Sequence, residues 1–226
     1  MRKNGIVIAV DGPSGAGKST ITRMLAERLG YVYLDTGAMY RSVALMAARQ
    51  GVATDDDLSL DRICAGLELS FQRTDGCCRV IANGEDVSEP IRAPEISMLT
   101  SAISARKVVR DHMQRLQRVM GRDGGVIVEG RDIGTAVFPD AELKLFLTAS
   151  AEERGLRRYK ELKAKGQDVD LERTIAEVVQ RDRQDEGREH APLRRADDAV
   201  LVDSTGMSID GVLAEMERLV KERLGR

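Results

Sequence analysis

Gly12, Gly17, Lys18 and Ser19 stand at the spacing G-x-x-x-x-G-K-[ST] inside "VDGPSGAGKST", Val10 to Thr20, and that spacing can hold a phosphate. Glycines let consecutive backbone N–H groups turn inward around an anion. A helix starting at the same point adds the positive end of its dipole. Lys18 can then reach the β- and γ-phosphates of a nucleotide, while the Ser19 hydroxyl can ligate Mg²⁺. On this reading Gly12, Pro13, Ser14, Gly15, Ala16, Gly17, Lys18, Ser19 and Thr20 bind ATP. A plain glycine-rich turn capping a helix is the competing reading. The motif lies between a β-branched apolar run and a stretch with helical apolar spacing, which is the context that phosphate binding needs.

Further basic residues occur where a second anionic ligand would lie. Asp35-Thr36-Gly37 closes a second apolar run, with Tyr40 and Arg41 on the helix expected after it; Arg131 and Asp132 follow the run "GVIVEG". Ligands of open α/β sheets sit at the carboxyl ends of the strands, so these loops are expected to converge beside the phosphate loop. Any one arginine alone reads as a surface ion-pair partner. Together, at successive strand ends, they favour a phosphate clamp. Later in the chain Arg154, Arg157 and Arg158 share one helical face, as do Arg181, Asp185 and Arg188 at i, i+4 and i+7. A solvated helix laced with ion pairs is the alternative there, although a basic residue preceding the acid is the weaker order for such pairs.

The elements that must position these residues alternate. Strands are expected at 6–10, 31–35, 125–130, 143–148 and 199–203, and helices at 18–29, 38–50 and 208–224. This order implies an α/β fold with a parallel five-stranded sheet between helices. Two stretches break the rhythm. Leu67, Leu69 and Phe71, a turn at "TDG", then Cys78, Val80 and Ala82, and a second turn at Asn83-Gly84 read as a small antiparallel meander. From Glu152 to Asp198, 25 of 47 residues are charged, against 32% overall, with apolar residues still at helical spacing. Two exposed helices forming a mobile cover are expected there.

Composition narrows the function. A net charge of −2 and 3% aromatic residues argue against a nucleic-acid binder, and no stretch reaches the ~18 apolar residues of a membrane span. Three cysteines, two of them adjacent (Cys77 and Cys78), form no disulfide framework, so a reducing cytoplasm fits best. Both asparagines precede glycine, so the Asn-Lys-x-Asp of a guanine-specific GTPase is absent. A small-molecule kinase with room for a second anionic ligand remains; an ATP sensor without chemistry would leave the second set of arginines unexplained.

"GPSGAGKST", "LDTGAMYR", "EGRDIGTAVFP", "LFLTASAEERGLRR" and "RDRQDEGREHAPL" resemble, in that order, the signature stretches of bacterial cytidylate kinases, nucleoside monophosphate kinases of the P-loop NTPase class. The resemblance implies a three-layer α/β/α core at 1–62, 103–150 and 197–226. The meander becomes a nucleoside-monophosphate-binding insert at about 63–102, and the charged helices a lid at about 151–196. It implies phosphoryl transfer from ATP·Mg²⁺ to CMP or dCMP by a cytoplasmic monomer. Arg41, Arg131 and Arg188 would hold the CMP phosphate, with Thr36 and Tyr40 beside it. Ser101, Arg110 and Asp132 would read cytosine, and Arg181 and Asp185 the ribose. Lys18, Arg131, Arg154 and Arg158 would be catalytic, Arg157 would join the ATP site, and adenine would lie near 204–206. Ser101 and Arg110 lie in a stretch that otherwise reads as one plain helix, so their roles rest on the resemblance. Thr36 stands where the family often has Ser, keeping the hydroxyl. Glu129 stands where Asp or Ala is also common, and its role is open.

Overall fold

The computed structural model describes residues 2–74, 77–164 and 166–225, with backbone alone at 73, 74, 77 and 78. The chain divides into two compact units, one formed by the residues up to Tyr33 and from Gly121 onward, the other by Leu34–Met120.

The first unit holds four of the five apolar runs and the start of the other, whose Leu34 and Asp35 belong to the second. The five runs form β1 (Val7–Asp11), β2 (Val32–Asp35), β6 (Val126–Gly130), β7 (Leu143–Thr148) and β8 (Val200–Asp203), in the sheet order β2-β6-β1-β7-β8. Central β1 pairs in parallel with β6 and β7, and β7 with β8. Every residue of β1 and β6 is buried, which is why these strands read as continuous apolar runs rather than alternating ones. The expected parallel α/β sheet with flanking helices is present. Its first strand ends one residue later than the apolar run suggests, because Asp11 stays in register with Gly130 and Phe146.

Helix α1 (Lys18–Leu29) has the bounds expected from Ile21, Leu25 and Leu29, and Gly30 ends it in a left-handed conformation. Its apolar face and that of α8 (Ile209–Arg223) pack on the sheet, where Ile21 and Leu25, with Leu213, Met216 and Val220, join Ile8, Ile127, Leu145 and Val202. Gly12, with φ 150°, must be glycine, since a Cβ there would run into the Leu147 carbonyl. The charged stretch forms α6 (Ala151–Ala164) and α7 (Leu171–Glu186), which meet where Gly155 lies against Ile175. Leu156, Tyr159 and Leu162 are half-buried, and Val178 is the buried aliphatic side chain of α7. Little core was expected there, and little is found. Arg188 lies beyond the end of α7, so the i, i+4, i+7 face with Arg181 and Asp185 does not extend to it; Gly187 has already closed the helix.

In the second unit α2 (Thr36–Arg49) begins two residues earlier than its apolar spacing indicates. The Asp35 carboxylate caps it by accepting the Ala38 N–H at 2.8 Å. After α3 (Asp57–Ala65), the period-two stretch forms the antiparallel sheet β3 (Leu69–Thr74), β4 (Cys77–Ala82) and β5 (Glu85–Asp86). Leu67, Leu69, Val80 and Ala82 are buried while Phe71 is half-buried. Asn83 and Gly84 both have positive φ, 50° and 83°, as the tight turn requires. The turn expected at "TDG" and the side chains of Cys77 and Cys78 lie outside the described residues. The stretch that reads as one plain helix is two, α4 (Pro94–Ile103) and α5 (Lys107–Gly121). Ala105 and Arg106 donate to Ala102 and Ile103 respectively, three residues back, which tightens the chain and breaks the helix between Ser101 and Arg110.

Candidate functional site

The phosphate loop occupies the turn from β1 into α1. Gly17, at φ 87°, is the α1 N-cap and offers no capping side chain to the N–H groups of the first turn. Lys18 is buried, and its Nζ donates to the carbonyls of Gly12 and Pro13, both at 2.7 Å. Burial, followed by the charge of Arg131, lowers the Lys18 pKa to about 7, against the pull of Glu129 and Asp11. The exposed Ser19 donates to Glu129 Oε1 at 2.8 Å. Lys18 and Ser19 thus open the first turn of α1, Lys18 tied back to the loop carbonyls and Ser19 to Glu129.

Asp11, the last residue of β1, ties this loop to the next strand end. Its carboxylate accepts the N–H groups of Ile133 at 2.8 Å and Gly134 at 2.7 Å. Burial pushes its pKa up to about 6, although those N–H groups oppose the rise. Asp132 is buried, and its carbonyl accepts from Ala136 and Val137, winding Ile133–Val137 into a short wide turn.

The sequence-selected arginines of this unit divide by contact. Arg131 and Arg188 both pair with buried Asp185, at 2.8 Å and 2.5 Å. Burial favours the neutral acid, but Arg131 and Arg188 outweigh it and hold the Asp185 carboxyl below its usual range. Arg181 lies exposed on α7. Arg154 is buried; it donates to the carbonyls of Ala149 at 2.8 Å and Ser14 at 3.1 Å and pairs with Asp182 at 2.7 Å. Arg157 donates to Ser204 Oγ at 3.1 Å and to the Ser204 carbonyl at 2.8 Å. Arg158 pairs with Glu161 at 2.9 Å, about half-exposed. Thus Arg154 reaches the phosphate loop and Arg157 reaches the 204–206 loop, while the hydrogen bond seen for Arg158 stays on its own helix.

In the second unit Thr36 is the buried first residue of α2, and Arg41 pairs with Asp35 at 3.0 Å. The buried Arg110 donates to the Ser104 carbonyl at 3.0 Å and lies 5.6 Å from the centre of the Tyr40 ring. Ser101 is half-buried on α4. This unit therefore holds Tyr40 and Arg110 as a stacked pair that spacing alone could not reveal.

The cytidylate kinase family model matches residues 8–222. The chain is 68% identical to the cytidylate kinase of Geobacter sulfurreducens over 221 residues, covering 98% of this chain and 95% of that one. The chain belongs to the cytidylate kinase family. It is also 48% identical to the cytidylate kinase of Caldicellulosiruptor bescii over 214 residues, 95% of each chain. Among solved structures, an uncharacterized protein from Eubacterium ventriosum matches with TM-score 0.51 at 12% identity, over 98% of this chain and 99% of that one, a likeness of fold alone.

Several residues around the phosphate loop carry no mark in the sequence. Asp11 was hidden as the last member of an apolar run; its place directly before Gly12 is the signal that could have marked it. Glu129, left without a role, accepts from Ser19, from Thr22 at 3.0 Å and from Tyr33 at 2.7 Å. Tyr33 and Thr22 look like ordinary strand and helix residues in sequence; the β2–β6 neighbourhood brings Tyr33 to Glu129, and the packing of α1 against β6 brings Thr22 there.

Proposed function

We propose that the protein transfers the γ-phosphoryl group of ATP to CMP, and to dCMP, giving CDP or dCDP and ADP, as a cytoplasmic monomer in pyrimidine nucleotide metabolism. The observation that carries the reading is the presence in one unit of two distinct anion-directed clusters. One is the loop with Lys18 and Ser19; the other is the Arg131–Asp185–Arg188 group.

An ionised CMP phosphate oxygen attacks the γ-phosphorus and ADP leaves, so no proton has to be removed from the nucleophile. The residues present act by placing charge. Gly12 to Thr20 cradle the ATP phosphates, and Lys18 and the lid residues Arg154 and Arg158 meet the charge of the transferring group. Arg157 supports the adenine end through Ser204. Arg41, Arg131 and Arg188 take the CMP phosphate, with Thr36 and Tyr40 beside it, and Arg181 and Asp185 take the ribose. Ser101, Arg110 and Asp132 read cytosine; the Asp132 carboxylate accepts from the N4 amino group. Residues 63–102 act as the insert and 151–196 as the lid that excludes water.

Mg²⁺ fits the residues at the loop. The Ser19 hydroxyl beside a carboxylate offers hard oxygen atoms, and among the described residues no cluster of three or more His, Cys, Asp or Glu is placed to cage a metal. That suits an ion which takes most of its ligands from phosphate and water. Ser19 would hold it, and the ion would supply positive charge to the ATP phosphates.

The test is ADP release from ATP·Mg²⁺ by purified protein with CMP, dCMP, UMP, AMP, GMP or no acceptor. Strong release with CMP and dCMP, and little with the purine nucleotides or none, is expected. Nucleotide binding without release for any acceptor would overturn the reading in favour of an ATP sensor.

A further inference from the structure

Glu129 sits near the end of β6 with only 6% of its surface exposed, yet its carboxylate meets three hydroxyl groups. Oε1 takes the Ser19 hydroxyl at 2.8 Å, while Oε2 has Tyr33 at 2.7 Å and Thr22 at 3.0 Å. The Thr22 hydroxyl carries a single hydrogen and lies closer still, 2.6 Å, to the Lys18 carbonyl, the usual back-bond of a helical threonine. Tyr33 is therefore the nearer donor to Oε2. Its ring is partly buried against the core.

A hydroxyl has one hydrogen and two lone pairs. With its hydrogen engaged by Glu129, Ser19 must turn its lone pairs away from the carboxylate, and lone pairs are what a cation takes. Were Glu129 to rotate, the Ser19 hydrogen would be free to point anywhere, including where a cation would sit.

We propose that Tyr33 is a positioning residue for Mg²⁺. Its phenol pins Glu129, so that the opposite carboxylate oxygen holds the Ser19 hydrogen and leaves the Ser19 lone pairs to the metal. This rests on Ser19 being the metal-binding hydroxyl of the proposed function. Partners one bond removed from a metal ligand typically carry 10- to 100-fold in metal affinity, so a hydroxyl two bonds removed belongs at the low end.

The experiment is calorimetric ADP binding to the full chain, with Mg²⁺ and with EDTA, for the wild type, Tyr33→Phe, Ser19→Ala and the double variant. Tyr33→Phe keeps the ring and deletes one hydroxyl. The tightening of ADP by Mg²⁺ is expected to fall roughly tenfold in Tyr33→Phe, with EDTA affinity unchanged, and the double variant to lose no more than Ser19→Ala. A wild-type Mg²⁺ response in Tyr33→Phe, with that response lost in Ser19→Ala, would overturn the positioning role alone. Retention of the response in Ser19→Ala would overturn the metal assignment and this inference with it. Equal loss with and without Mg²⁺ in Tyr33→Phe would make the phenol a structural prop and overturn the inference. Should Tyr33→Phe fail to fold, Glu129→Gln carries the test: the same metal-selective loss is expected, and an unchanged Mg²⁺ response overturns it.

Discussion

Arg131 Nε donates to Asp185 Oδ2 at 2.8 Å, across 54 residues of chain, and the carboxylate that receives it is 2% exposed. Arg188 pairs with the same carboxylate. A buried acid thus joins two arginines proposed to take the CMP phosphate. It keeps two positive charges fixed and close together before an anion arrives, at the expense of repulsion that Asp185 offsets.

Asp185→Asn should lower stability by about 3 kcal/mol at neutral pH, because removing one partner leaves buried charge uncompensated. The pH dependence has a definite sign. The folded-state pKa of Asp185 is depressed by Arg131 and Arg188 against its burial, so its contribution is complete above the unfolded value of about 3.9 and fades as pH falls toward the depressed one. Denaturant unfolding of both proteins should show the full gap at neutral pH and a narrower gap near pH 3. A constant gap would mean that the carboxylate charge is not its source.

Lys18 makes a second pH-linked prediction. Burial and then Arg131 lower it to about 7 in the free enzyme, so at pH 8 most molecules carry it neutral. Phosphate anions favour the ammonium, so ATP binding at pH 8, where ATP itself is fully ionised, should take up a proton. Calorimetric titrations in buffers of different ionisation enthalpy would read this directly. Binding heats independent of buffer would show that Lys18 is already charged before the nucleotide arrives. Lys18→Ala should lose most activity and keep its fold, as near- and far-ultraviolet circular dichroism would show.

Arg154 and Arg158 should not be equivalent. Arg154 is buried, bonded to Ser14 of the phosphate loop and paired with Asp182. Arg158 pairs with Glu161 three residues on, at about half exposure, where ion pairs contribute little to stability. Arg154→Ala should cost roughly 100-fold in kcat/KM and destabilise measurably, whereas Arg158→Ala should leave thermal stability within about 0.5 kcal/mol. Steady-state kinetics and thermal unfolding of the two variants decide. Equal thermal losses would show that the contact with Glu161 understates what Arg158 supports.

The strands and α1 were legible because β-branched runs and a 3.6-residue apolar period are local signals, and the phosphate loop was legible because its glycines are required by backbone geometry. What escaped is non-local. The start of α2 depends on one carboxylate cap, Asp35, in a triplet that reads as a loop. The break between α4 and α5 depends on three-residue backbone bonds at Ala105 and Arg106, with no proline or glycine to announce it. Arg188 falls on the helical period yet lies past the helix, because Gly187 ended it. Tyr33 meets Glu129 through strand order and Thr22 meets it through the packing of α1 on β6, neither of which a local pattern in the chain encodes.

Asp132 carries the prediction about base choice. Cytosine presents an amino donor at C4 and a bare acceptor at N3, whereas uracil presents a carbonyl and an N–H. A carboxylate accepts and does not donate, so against uracil it would face the O4 acceptor, and UMP should be the poorer substrate. Asn has the same shape and can turn either its oxygen or its amide to the base. Asp132→Asn should therefore lower the ratio of kcat/KM for CMP over UMP by roughly tenfold or more, with KM for ATP little changed. Ala136 and Val137 bond to the Asp132 carbonyl, which the substitution leaves in place. A general loosening of the turn would lower both rates together and leave their ratio intact. Measured for both acceptors on one preparation, a ratio that stays at the wild-type value would remove Asp132 from cytosine recognition and leave Arg110 and Ser101 as the residues to test next.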